Sequence, residues 1–271
     1  MKEIFLLTKT LLKSSVSESK NAKEKKTKGF GKIIFYILVY GYIAGIMGYL
    51  AYSAIGALIQ VNQPAVYLNL SFVAMFGFSI IQTVITSLNI LYFSKDLEFL
   101  LPLPISSIKI VISKLICLII SQYLMIALLI LPGVIIYGYL LQLNYLYYIV
   151  AAIVLLTFPI IPVSMVSGIV TIIMRFTKII KNKEFVQYFT IVLTIFLIIA
   201  VQALSGGTGT VSNEEIASNL LKTNGLVESF SKSFFNITLI MNSILNYNNS
   251  IGLLNIFVFV LISNILFIIM T

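Results

Sequence analysis

Few side chains in this sequence could carry out catalysis. Histidine is absent, and Cys117 is the only cysteine among the 271 residues. Zinc sites of the usual His and Cys types and His-based catalytic triads are therefore excluded. The acidic pairs Asp96 with Glu98 and Glu214 with Glu215 are more typical of charges at helix starts than of an acid/base couple. We therefore expect no catalytic residue, no metal, no cofactor and no enzymatic activity in this chain.

Nucleotide binding also lacks its usual sequence pattern. The phosphate-binding loop G-x-x-x-x-G-K-[ST] does not occur anywhere in the chain. The stretch Gly29-Phe-Gly31-Lys32 has too short a glycine spacing and lies in a basic region. If the protein uses ATP, a separate subunit must therefore bind it.

Polar and small residues inside apolar stretches are the next candidates for function. Ser79, Gln82, Thr83 and Thr86 recur at helical spacing and give one helix a mildly polar face. This face either lines a pathway or, as we favour, hydrogen-bonds a neighbouring helix. A second pattern, with Gly41, Gly45 and Gly48, would let another helix approach closely, and we interpret it as a helix-packing surface.

The segment Ser94–Lys109 stands out because it places apolar residues between two long apolar stretches. Asp96 and Glu98 suit a helix start, and the leucines that follow expose more apolar surface than a short turn needs. Pro102 and Pro104 then break the segment, and Ser106 can cap the next helix. Such a stiff apolar element could dock into a partner's groove, or it could tuck its leucines back into the headgroup region. The residues alone leave both interpretations open.

The elements that hold these residues are helices that cross a membrane. Hydrophobic residues make up 59% of the chain and charged residues only 10%, far from the balance of a soluble domain. Backbone polar groups in lipid must be satisfied within each segment, so long apolar stretches predict helices. We predict an all-α polytopic membrane protein with about six spans, namely Ile33–Ile59, Ala65–Phe93, Leu115–Leu141, Tyr145–Met174, Phe185–Leu204 and Ile251–Met270. Pro132 in the third span and Pro159 with Pro162 in the fourth predict kinks.

The distribution of charge predicts orientation. Of the 18 Lys and Arg residues, all but Lys222 and Lys232 fall on the side that includes the N-terminus. By the positive-inside rule this side is cytoplasmic, so the net charge of +9 indicates topology and contact with anionic lipids rather than nucleic-acid binding. With these boundaries no Asp, Glu, Lys or Arg lies within a span, which argues against a proton-coupled carrier or an intramembrane hydrolase.

The regions outside the spans have distinct characters within one transmembrane domain, residues 1–271. Residues 1–32 form a basic cytoplasmic N-terminus, and Met1–Ser14 predicts an amphipathic helix on the cytoplasmic leaflet. Residues 94–114 form a cytoplasmic loop, and residues 205–250 form an extracellular loop. That loop also contains apolar residues at spacings of three and four, which predict an amphipathic helix that lies at or dips into the outer interface. These residues are Val227, Phe230, Phe234, Ile237 and Ile240.

One sequence pattern resembles a known family. Asp96-Leu-Glu-Phe-Leu-Leu-Pro-Leu-Pro-Ile-Ser106, followed by Ser113-Lys114, is similar to the D-x-E-x-L-L-x-L-P-[IV]-S and S-K signature of ABC transporter permeases of the type-two exporter class, which are bacterial. In that class the loop is a coupling helix that receives the motion of the ATP-binding subunit. The resemblance implies that the contact with the ATPase is made by Asp96, Leu97, Glu98, Leu101, Pro102, Pro104 and Ser106.

The resemblance also implies partners and a location. A cytoplasmic ABC ATPase would bind from below, and a second permease half or a second copy of the chain would complete the pathway, in the bacterial plasma membrane. The chain also fits the N-terminal half of a longer permease of this class. We therefore expect a permease subunit of an ATP-driven exporter, and a neutral apolar lining favours an amphipathic or lipid-like substrate. The alternatives are a non-transporting membrane scaffold or accessory protein and, less favoured, an enzyme that modifies membrane lipids.

Overall fold

The computed structural model describes residues 7–11, 29–88, 90, 106–176, 195, 199 and 235–270. Throughout these residues the secondary structure is helical, with short turns between helices and no strand. The helices are α1 (Gly29–Gln60), α2 (Ala65–Ser87), α3 (Ser107–Leu129), α4 (Leu131–Leu140), α5 (Tyr145–Thr157), α6 (Ile160–Phe176), α7 (Phe235–Leu245) and α8 (Ser250–Met270). Residues 7–11 add a further helical turn near the N-terminus.

Five helical segments of the described chain are long and apolar enough to cross a membrane. They are Ile34–Gln60, Ala65–Ser87, Ile108–Leu129, Tyr145–Ile172 and Ser250–Met270. This confirms the prediction of an all-α, multi-pass membrane protein. The remaining predicted span, Phe185–Leu204, lies outside the described residues except for Ile195 and Ile199, which are helical and exposed.

Proline interrupts two of the spans, as the sequence predicts. The third span breaks at Ile130, and α4 resumes with Pro132 in its first turn. The fourth breaks at Phe158 and Pro159, between α5 and α6. Proline lacks the N–H that would continue the helical ladder and its ring crowds the preceding turn, so the chain starts a new helix there. Helix α6 then begins with the Val163 amide donating to the Pro159 carbonyl at 3.1 Å.

Two tight turns join neighbouring antiparallel helices at one end of the bundle. In each, a residue with positive φ, Asn62 (56°) or Gln142 (50°), ends the preceding helix. The amide of Gln63 donates to the Leu58 carbonyl at 2.9 Å, and the Leu143 amide donates to the Gly138 carbonyl at 2.9 Å. This is the Schellman pattern, which satisfies the last carbonyls of a helix.

The two ends of the bundle differ in character. The turn end contains residues 61–64, 141–144 and 246–249, and aromatic contacts such as Tyr147 with Tyr247, 6.0 Å between ring centres, hold it together. The loop end contains residues 7–11, Ile90, the start of α3 and the last residue of α8, Met270, which packs near Ile90 and Val163. The predicted topology places the loop end in the cytoplasm and the turn end outside.

The core takes buried residues from all eight helices, but α1 contributes only Ala51 and Ile55 and is otherwise peripheral in the described chain. Phe72 and Phe76 of α2 pack against Phe158 at the break in the fourth span, with ring centres 5.7 and 6.5 Å apart. Helix α1 packs mainly on α4, and only 6% of its apolar window is buried in the bundle. Lipid or another protein chain therefore surrounds most of α1.

Helix α7 packs into the bundle beside the spans. Ile237 and Ile240 are fully buried, and the helix contacts α8, α2 and α5. These two residues belong to the amphipathic pattern predicted for the loop before the last span, whereas Val227, Phe230 and Phe234 lie outside the described residues. The pattern therefore marks a short inserted helix that turns back into α8 through residues 246–249.

Candidate functional site

Lys114 is a buried charge at the loop end of the described bundle. It lies about two turns into α3, and its side chain is 2% exposed. Its Nζ donates to the carbonyl oxygen of Ile90 at 2.6 Å. Ile90 lies three residues beyond the last α-helical residue of α2, and Leu88 and Ile90 still have a helical (π) backbone. The contact therefore ties the end of α2 to α3.

Apolar side chains from four elements surround this contact. Leu115, Leu118 and Val163 are at most 1% exposed and form one buried cluster. Ile90, Phe267 and Met270 pack against that cluster, along with Val111 and Ile119. Ile90, the first half of α3, the first turn of α6 and the last turn of α8 thus meet next to Lys114.

The position of Lys114 corrects one prediction. The sequence boundaries started the third span at Leu115 and left every span free of charge. The structure begins α3 at Ser107, and the span Ile108–Leu129 includes Lys109 and Lys114. The prediction was wrong for these two residues because lysines near a span end read as flanking charges, whereas Lys114 is buried with a backbone partner.

The N-terminal helical turn, residues 7–11, packs on the same part of α3. Leu7 and Leu11 are each 8% exposed and form a cluster with Ile110 and Cys117, whereas Lys9 is exposed. The Cys117 thiol lies 3.8 Å from the Thr8 carbonyl oxygen, within reach of a weak S–H hydrogen bond. Within residues 7–11 the apolar side chains therefore contact protein and Lys9 is exposed, whereas the rest of the predicted helix Met1–Ser14 lies outside the described residues.

The structure describes only one of the residues that the resemblance assigns to ATPase contact. Asp96, Leu97, Glu98, Leu101, Pro102 and Pro104 lie outside the described residues. Ser106 occupies the N-cap position of α3 with an extended backbone, and its carbonyl accepts from the Lys109 amide at 3.0 Å. Its side chain is exposed and makes no capping hydrogen bond, so only the predicted position of the cap is confirmed.

The polar stripe of α2 hydrogen-bonds a neighbouring helix. Ser79 and Thr83 are fully buried against Gln122 of α3. The Ser79 hydroxyl donates to Gln122 Oε1 at 3.2 Å, and Gln122 Nε2 donates to the Thr83 hydroxyl at 3.0 Å. The favoured interpretation is therefore confirmed for these two residues.

Gln82 and Thr86, the other two members of the stripe, are half-buried and take no part in that contact. The Thr86 hydroxyl donates to the Gln82 backbone carbonyl at 2.7 Å within the same helix. The Gln82 side-chain oxygen is buried without a hydrogen-bond partner, as is the Ser164 hydroxyl of α6. The structure therefore leaves open the interpretation of a pathway for Gln82 and Thr86.

The three glycines of α1 behave differently from one another. A Cβ on Gly48 would lie 3.4 Å from Ile136, so α4 packs closely there. A Cβ on Gly41 or Gly45 would meet nothing within 4 Å. The predicted packing surface is therefore used at Gly48 within this chain, and at the other two positions no helix of the described chain approaches.

An open depression at the turn end has a volume of about 470 Å³ and is lined by Gly138, Tyr139, Leu140, Gln142, Leu143 and Tyr148. Beside it, the Tyr147 hydroxyl donates to the Val134 carbonyl at 2.9 Å. Tyr147 is fully buried, so its ring packs in apolar surroundings while its hydroxyl finds this polar partner. No charged side chain lines the depression.

Comparison with known proteins supplies the family. A family described as "Putative ATP-binding cassette" matches residues 22–270, nearly the whole chain. The chain belongs to this ATP-binding cassette (ABC) family. No curated protein and no solved structure matches the chain significantly. The matched region contains all five helical segments of the described chain that are long and apolar enough to cross a membrane.

Sequence reasoning missed the two polar residues that join α2 to α3 in this ABC-family chain. Gln122 is the only Asn or Gln between Leu115 and Leu141, and a lone amide in an apolar span is itself a signal of helix–helix hydrogen bonding. The Ser113-Lys114 resemblance includes Lys114 but gives it no partner. Its distance of 24 residues from Ile90 gives no periodic signal that could have revealed the contact.

Proposed function

We propose that this chain is the permease subunit of an ATP-driven exporter of the type-two class. One observation carries the proposal: a bundle of membrane helices fills the region that matches an ABC family, and the chain has no phosphate-binding loop. A separate cytoplasmic ATPase would then bind the nucleotide. This ATPase drives transport by pushing on the segment that joins α2 to α3.

The proposed contact with the ATPase is the set named from the resemblance, from Asp96 to Ser106. Leu97 and Leu101 would insert into a groove on the ATPase, and the prolines would keep the segment stiff enough to transmit force. Two permease halves, or two copies of the chain, would enclose the pathway in the bacterial plasma membrane. The apolar and aromatic character of the spans favours an amphipathic or lipid-like substrate, and basic residues at the loop end favour anionic lipids around it.

Co-purification in detergent tests this proposal. The parent protein, expressed in its native host, should carry an ATP-binding protein through an affinity column. Replacing Leu97 and Leu101 together by Asp should remove that protein without preventing membrane insertion. Val61→Asp is the matched control, because it adds a carboxylate at an exposed position (55% exposed) of the turn end, and it should retain the ATPase.

The outcomes separate the candidate functions. If the ATPase stays bound to the Leu97 and Leu101 variant, the assignment of the docking segment is wrong. If no ATP-binding protein accompanies the parent, the permease proposal fails and the scaffold alternative gains. A third measurement checks the orientation: Leu101→Cys in a Cys117→Ser background should react with a membrane-impermeant maleimide only after the cells are opened.

A further inference from the structure

We infer that Lys114 is a positioning residue that makes α2 and α3 move together when the proposed ATPase acts. This inference rests on the proposed function and deepens it. Residues 91–105 connect the two helices along the chain. The hydrogen bond from Lys114 Nζ to the Ile90 carbonyl oxygen, 2.6 Å long, joins the two helices directly.

The chemistry of the contact explains why a lysine suits this position. The acceptor is the backbone carbonyl oxygen of Ile90, a main-chain group that is present whichever side chain stands at that position. A long cationic side chain can span from α3 to this carbonyl, and a charged donor makes a stronger hydrogen bond than a neutral one. Removal of the ammonium leaves that carbonyl without this donor in surroundings with little water, where a polar atom is costly to leave unpaired.

The position of the Lys114–Ile90 contact places the α2–α3 pair against two further helices, α6 and α8. Leu115, next to Lys114, and Leu118, one turn further on, pack against Val163 of α6 in a cluster that Met270 of α8 also touches. A displacement of the α2–α3 pair at its loop end therefore presses directly on α6 and α8. A displacement of α3 alone would instead break the contact with Ile90.

Distances between spin labels can distinguish this role from simple stabilisation. In a Cys117→Ser background, one pair of labels at Ile85 of α2 and Ile120 of α3 reports the α2–α3 distance. A second pair at Ile85 and Ile172 reports α2 against α6. All three positions are exposed, at 48%, 40% and 61%. Each pair is measured in the purified complex with its ATPase, without nucleotide and with ATP and vanadate.

In the parent the α2–α6 distance should change with nucleotide while the α2–α3 distance stays constant. In K114M, which keeps the apolar stem and removes the donor, the α2–α3 distance should become nucleotide-dependent, although the ATPase still co-purifies. K114R, which retains a charged donor, should behave as the parent. K109M is the matched control: it removes the same charge five residues earlier in α3, where the side chain is only half-buried, and it should also behave as the parent.

Two kinds of result would contradict this inference, and they differ in what they say about the permease proposal. A constant α2–α3 distance in K114M, or one that already changes in the parent, would overturn the inference while leaving the permease proposal intact. A parent without an ATPase partner would remove both. If K114M does not insert, K114Q serves instead, since its shorter amide cannot reproduce the charged contact, and the same change in the α2–α3 distance is expected.

Discussion

The buried amide of Gln122 is a stringent test of how the spans hold together. Its side chain is fully buried between α3 and α2, where it accepts from the Ser79 hydroxyl and donates to the Thr83 hydroxyl. Gln122→Leu removes these hydrogen bonds and keeps most of the side-chain volume, so the change in packing should contribute little to the loss of stability. The substitution therefore isolates the polar part of the α2–α3 contact.

The expected loss of stability follows from the geometry. Interhelical hydrogen bonds in membrane proteins contribute on average about 0.6 kcal/mol, and at most about 1.7 kcal/mol. Two side-chain bonds of 3.0 and 3.2 Å are lost, and a third contact to the Ser79 carbonyl, at 3.4 Å, is weak. The Thr83 hydroxyl keeps its own bond to that carbonyl at 2.7 Å. The total is about 1–2 kcal/mol, or roughly five- to thirty-fold in the unfolding equilibrium constant.

Unfolding in mixed micelles with increasing dodecyl sulfate measures this loss, with pulse labelling of the native thiol as the signal. Cys117 is 5% exposed in the folded chain, so its reaction with maleimide reports the unfolded fraction. A double-mutant cycle of Gln122→Leu with Ser79→Ala should give a coupling energy of about 0.5–1.5 kcal/mol. The control is Asn264→Leu, since that exposed amide donates only to Val260 in its own helix, at 2.8 Å.

Two results would refute the reasoning. The first is a Gln122→Leu variant as stable as the parent or more stable, which would mean that the amide finds equivalent partners in the unfolded state. The second is a coupling energy near zero with Ser79→Ala, since the loss would then come from packing and not from the hydrogen bonds. Asn264→Leu should change stability by less than about 0.5 kcal/mol, because the residue faces lipid in both states.

Two further substitutions test contacts at opposite ends of the bundle. Leu11→Ser should weaken the packing of the N-terminal turn on α3 by about 2 kcal/mol, the contribution of one buried leucine. The maleimide reaction rate of Cys117 under native conditions should then rise roughly thirty-fold. An unchanged rate would mean that the turn does not cover the thiol. Gly252→Ala should lower the thermal midpoint of unfolding, because the new methyl group would collide with the Asn246 carbonyl group. Gly41→Ala is the control and should not lower the midpoint, since a Cβ at Gly41 meets nothing within 4 Å.

The architecture follows closely from the sequence, since lipid leaves the backbone few choices. An apolar stretch as long as Ala65–Phe93 must satisfy its own carbonyls and amides, so length alone predicts helix despite its valines and isoleucines. Pro132 and Pro159 mark the interruptions for an equally local reason, the missing N–H. These inferences need no knowledge of which helix lies beside which.

Contacts between helices are where sequence reasoning reached its limit. The periodic spacing of Ser79 and Thr83 predicts a polar face, but their partner Gln122 is about forty residues away and has no periodic relation to them. Gly41 and Gly45 show the converse case, because a small-residue spacing permits close packing without requiring it. Pairing depends on the three-dimensional neighbourhood, which periodicity along one helix does not contain.

Lys114 and Gln122, which sequence reasoning did not single out, both join α2 to α3. Lys114 and Gln122 are eight residues apart on α3, about 12 Å along the axis, and each contacts α2. Two polar contacts at separate heights resist both sliding and splaying of the α2–α3 pair. The third and fourth spans are interrupted at Ile130 and at Phe158 with Pro159, where the backbone ladder is weakened. If the inferred role of Lys114 holds, we expect a force at the loop end to move the α2–α3 pair as one body and bending to concentrate at the two interruptions deeper in the bundle.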